Sequence, residues 1–171
     1  MLTLIPIILY LCCGSLLFMR LSRPGLAAVV TKQHILVLAG IAILLHGVML
    51  YHGLFTRAGI DIHFYHVLSL VAWLVALLLG MAAITMHIEC LGIVVFPFAA
   101  LMMLLDFLPA EPHLLGYHIQ SGMLLHILLS ILAYSLLSIA AVQAMLLYIQ
   151  DYHLHNKHPG GFVRLEGLRH K

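Results

Sequence analysis

The chain has 171 residues, of which 64% are hydrophobic and only 8% charged, and its formal net charge is +2. A soluble domain carries about 25% charged residues, so this composition excludes an ordinary water-soluble core and specifies a helical integral membrane protein. The small charge also excludes a nucleic-acid surface, because the basic residues lie at helix ends where membrane topology accounts for them.

In chain order, the first apolar run covers residues 2–19, with Pro6 near its start and Gly14 and Ser15 within it. Its charges, Arg20 and Arg23, follow it instead of preceding it as in a secretory signal, so a retained span with its N-terminus outside is expected. Pro24 and Gly25 mark a connector, and the second run covers residues 34–54. Helical spacing puts Ala39, Ala42, His46 and Gly53 near one face. A mid-span imidazole must find a partner, so His46 is either a site residue or a hydrogen-bonded core histidine. His52, near the helix end, is expected to be solvated.

A loop over residues 56–62 holds Arg57 and Asp61. The third run, residues 64–84, aligns His66, Ser69, Trp73, Ala76, Gly80 and Ala83 on one face. His63 and His66, at its start, read as surface positions. The fourth run, residues 91–105, is short, and Pro97 predicts a kink. Residues 106–120, with Pro109, Glu111, Pro112, His113, Gly116 and His118, read as an extramembrane loop.

The fifth run, residues 122–149, contains no Asp, Glu, Lys or Arg. Gly122, His126, Ser130, Ala133, Ala140 and Ala144 form a stripe of mostly small residues, which predicts the packing face and puts His126 on it. The tail, residues 152–171, is polar and basic. Its His-rich tract at 153–158 reads as solvated. Seven of the eight Lys and Arg residues fall on one side of a five-span arrangement and Arg57 alone on the other. The expected fold is therefore all-α, a polytopic transmembrane bundle of about five spans over residues 1–151, with a cytoplasmic tail.

The chemistry resides in the 13 histidines. Cys12, Cys13 and Cys90 form no C-x-x-C pair and are expected to be buried in apolar surroundings, so no residue is assigned to a metal site. No phosphate-binding glycine loop, H-E-x-x-H or G-x-S-x-G is present, which leaves no hydrolytic or nucleotide chemistry and no indication of an enzyme. His126 and His46 lie roughly 6 Å and roughly 12 Å below the outer ends of their helices, close enough in depth for one cavity to receive both. A helical bundle can hold haem between facing helices through neutral imidazole. A proton or metal transporter would call for mid-depth carboxylates, which these spans lack.

Residues 121–158, SGMLLHILLSILAYSLLSIAAVQAMLLYIQDYHLHNKH, resemble the corresponding region of the cytochrome c assembly membrane proteins (CcsA-like), in the YpjD-like branch of the bacterial inner membrane. Gly122, Met123, Leu125, His126, Leu129, Ser130, Tyr134, Ala140, Ala141, Asn156 and Lys157 carry the likeness, and the LLHGVML stretch around His46 is also similar. The resemblance implies a haem-handling role for His126, with His46 a buried histidine of the same branch. It also implies membrane lipid and cytochrome c maturation components as partners. Members of the branch continue into further spans, which implies either a truncated copy or a second polypeptide supplying them. A membrane scaffold or accessory subunit with structural histidines is the alternative.

Overall fold

The computed structural model describes residues 4–22, 31–56, 59–85, 89–108, 114–115 and 121–155. Five helices form among these residues: α1 (Leu4–Ser22), α2 (Lys32–Leu54), α3 (Phe64–Thr85), α4 (Glu89–Leu105) and α5 (Ser121–His155). Apolar runs of this length favour helices because hydrocarbon offers no partner for backbone N–H and C=O groups, which the helix pairs internally. α1, α2, α3 and residues Leu125–Tyr152 of α5 are long and apolar enough to cross a membrane. α4 is shorter, an apolar helix over Cys90–Leu105 containing Pro97.

The core lies among α1 to α4, around Tyr10, Cys13, Ala42, Val75, Ala76 and Ala99. α1 and α4 come close at Gly14, where an added Cβ would lie 2.9 Å from Cγ of Pro97. The proline ring occupies the notch left by the glycine, so these two helix-weakening residues serve a single contact. Tyr10 then stacks on Phe96 with ring centroids 5.9 Å apart. Cys13 is buried as expected, but Cys12 is exposed on the outer face of α1.

α5 departs from the sequence reading. The expected small-residue face is turned outward, with Gly122, His126, Ala133, Ala140 and Ala144 exposed and Ser130 half-buried. The packed face is Ser135, which is fully buried, followed by Ile139, Val142 and Leu146 against the core. These four recur at helical spacing on the opposite side of α5. Bulky side chains make more dispersion contacts against α3 than a small-residue stripe would. Small residues permit close approach but do not compel it.

The connectors are also more ordered than expected. Phe55–Thr56 (β1), Gly59–Asp61 (β2) and Leu114–Leu115 (β3) pair as a three-stranded antiparallel sheet in the order β1-β2-β3. Thr56 pairs with Gly59 in a tight hairpin, and Ile60 and Asp61 pair with Leu115 and Leu114. Gly59 has φ 144°, where a side chain would be strained. This sheet ties the α2–α3 connector to the α4–α5 connector and fixes where Asp61 lies. α5 runs on to His155, past the expected end at 149; residues 156–171 of the tail lie outside the described residues.

Gly14→Ala is expected to lower the thermal midpoint in detergent, since overpacking costs typically about 1–3 kcal/mol. Gly40→Ala, where nothing lies within 4 Å of the new Cβ, is expected to leave it unchanged or raise it.

Candidate functional site

Two polar clusters stand in this apolar bundle. The inner one centres on His46, which has no exposed surface. Its Nδ1 lies 3.3 Å from the Tyr10 hydroxyl of α1 and its Nε2 lies 3.1 Å from the Ser69 hydroxyl of α3. A neutral imidazole has one donor and one acceptor nitrogen, and a hydroxyl can take either role, so both nitrogens are satisfied. Small neighbours make this possible: Ala42 and Ala76 are fully buried, and Gly47 lets Trp73 approach to 3.1 Å from where a Cβ would be. Trp73 Nε1 donates to the Ile43 carbonyl at 2.8 Å, a second polar link between α2 and α3.

The outer cluster forms where β2, the start of α3 and the end of α4 converge. Asp61 ends β2, His63 precedes α3, His66 lies in its first turn, and Asp106 follows α4. The backbone N–H of His63 donates to Asp61 Oδ1 at 3.2 Å, a local turn that sets the entry to the helix. His66 Nδ1 meets Asp106 Oδ1 at 2.5 Å, while its Nε2 lies 3.0 Å from where a Cβ on Gly53 would be. The missing side chain at Gly53 thus gives His66 its place against α2. The rings of His63 and His66 lie 3.8 Å apart, tilted by 40°. His63 Nδ1 is 3.4 Å from Asp61 Oδ1 and its Nε2 is 3.7 Å from Asp106 Oδ1. Neither nitrogen makes a hydrogen bond, and both are buried.

A cavity of about 90 Å³, lined in part by His46, Ser69, Met103, Asp106 and Phe107, lies between the two clusters. It is roomy and polar enough to hold water.

The two histidines singled out in the sequence do not share this cavity. His46 lines it, whereas His126 is exposed on α5 and is not among its lining residues. His52 is exposed, as expected. His63 and His66, expected at the surface, are largely enclosed, with side chains 11% and 15% exposed. The D-x-H-x-x-H spacing from Asp61 to His66 was a usable signal for that cluster. Asp106 has no such signal, being 40 residues from His66 in sequence and joined to it only by the fold. The tail tract 153–158 and the loop histidines His113 and His118 lie outside the described side chains.

Tyr10→Phe and Ser69→Ala each strand one nitrogen of His46, and each is expected to cost about 1–3 kcal/mol of stability in detergent. Because both act on one ring, a double-mutant cycle by thermal or denaturant unfolding is expected to be non-additive. Comparison with known proteins finds no matching family, no matching curated protein and no matching solved structure.

Proposed function

We propose that this chain is a haem-handling assembly factor of the bacterial plasma membrane, acting in the maturation of c-type cytochromes, and that His126 is the residue that would hold the haem. The observation that carries this reading is an exposed imidazole on an apolar helix face. His126 stands beside exposed Met123, Leu125 and Leu129, and among the described residues its ring has no hydrogen-bond partner. Haem iron accepts neutral imidazole, and apolar side chains suit the macrocycle, so these residues fit one wall of a haem site. The resemblance of residues 121–158 to the cytochrome c assembly proteins supports the same role. The Lys and Arg distribution supports an orientation with His126 near the extracytoplasmic end.

His46 does not fit such a site. Both of its nitrogens are already engaged, and the adjoining cavity of about 90 Å³ is well short of the roughly 300 Å³ that small-molecule pockets begin at. Its part in this reading is to hold α1, α2 and α3 together. A bound haem would supply the iron centre that is passed on; the chain supplies an axial imidazole and an apolar wall. The opposite wall would come from a further helical segment or a second polypeptide laid on α5.

A scaffold or accessory subunit is the second reading. It is favoured by the small fraction, 6%, of the apolar α5 window that is buried in this chain, which leaves most of α5 open to lipid or to a further helix whatever His126 does.

Visible spectroscopy on the detergent-purified protein with added haem tests the choice. A Soret band is expected in the wild type and in Ser69→Ala, and its loss in His126→Ala. A wild type with no band favours the scaffold, and a band that persists in His126→Ala removes His126 as the ligand.

A further inference from the structure

We propose that Asp61, His63, His66 and Asp106 form a binding site for a divalent first-row transition metal, zinc(II) being the probe of choice. The inference is independent of the haem reading, and it concerns the end of the bundle where the three-stranded sheet meets α3 and α4.

The first argument is spacing. One ligand atom each from Asp61, His63 and His66 lies within 4.8 Å of the others. Two ligands on a tetrahedral zinc with bonds of about 2.0–2.1 Å stand about 3.4 Å apart. His63 Nδ1 lies 3.4 Å from Asp61 Oδ1, beyond a good hydrogen bond but at the spacing of two atoms sharing an ion, while its other nitrogen, Nε2, lies 3.7 Å from Asp106 Oδ1.

The second is an unsatisfied group. His63 is enclosed, its side chain 11% exposed, yet neither buried ring nitrogen has a hydrogen-bond partner. Buried polar atoms normally find one, and a buried orphan calls for an explanation. A cation on Nδ1 beside Asp61 would satisfy that nitrogen and leave the Nε2 N–H facing Asp106.

The donor set selects the class of metal. Two imidazoles beside two carboxylates suit zinc, iron(II) or related ions; calcium and magnesium prefer all-oxygen shells, and soft copper(I) prefers thiolates or thioethers. His66 turns Nδ1 to the cluster because its Nε2 lies against Gly53. That Nδ1 now pairs with Asp106. Ligation through Nδ1 would use the neutral tautomer with its proton on Nε2, so the proton moves from Nδ1 to Nε2 and Asp106 is left beside the ion as the fourth donor. The ion would then clamp β2, the α3 entry and the end of α4.

The full-length protein in detergent, stripped with chelator, is offered zinc and desalted, and bound metal is counted by mass spectrometry alongside the thermal midpoint. One zinc per chain and a raised midpoint that chelator reverses are expected. Asp61→Asn and His63→Gln are expected to weaken binding by about tenfold or more. A variant with His153, His155 and His158 changed to Ala is expected to keep the zinc. Cobalt(II) loaded into the wild type is expected to give the intense visible d–d bands of a tetrahedral site, a readout independent of how the variants fold. The proposal is overturned by a wild type that retains no zinc, by zinc that follows the tail histidines, by unchanged binding in both cluster variants, or by a weak octahedral cobalt spectrum.

Discussion

The bundle depends on an imidazole held wholly inside it. His46 has no exposure, and its two nitrogens are met from opposite sides by hydroxyls on α1 and α3. Leaving either unmet would strand a polar group in an apolar interior, so the three helices are committed to one mutual rotation. Apolar packing in lipid lacks such selectivity, because a leucine is as well solvated by acyl chains as by another leucine. Tyr10 extends the constraint to α4 through its stacking on Phe96, and the Gly14–Pro97 contact sets how closely α1 and α4 approach.

The same economy appears at the sheet-capped end. Gly53 admits His66, the β2–β3 pairing positions Asp61, and the end of α4 delivers Asp106. The cluster is built from four short stretches, and the cavity beneath it reaches His46 and Ser69. Polar chemistry is thereby concentrated at one end and one depth of an otherwise apolar molecule.

α5 stands apart from this arrangement. It packs on the bundle along Ser135, Ile139, Val142 and Leu146 and exposes the rest of its circumference. Ser130, Ser135 and Ser138 each donate to the carbonyl one turn back, so their hydroxyls make no demand on a neighbouring helix. The exposed small-residue stripe that carries His126 would let another helix approach closely, without specifying one.

Sequence by itself determined that the chain forms helices: the length of the apolar runs and their freedom from charge located α1 to α4 and the start of α5, though not its end, to within a few residues, because in hydrocarbon the backbone has no other way to pair its polar groups. It also marked the α2 and α3 faces carrying Ala39, Ala42, His46, Ser69 and Ala76, since helical periodicity brings these residues into line. Tertiary structure alone decided the rest. Which side of α5 turns inward depends on the volume that α3 leaves to be filled, and small residues specify no partner. Tyr10 meets His46 across 36 residues and Asp106 meets His66 across 40, distances over which local pattern carries no information. The outer cluster likewise requires a sheet of two- and three-residue strands, too short to announce themselves, whose pairing becomes possible only once the helices have brought the connectors together.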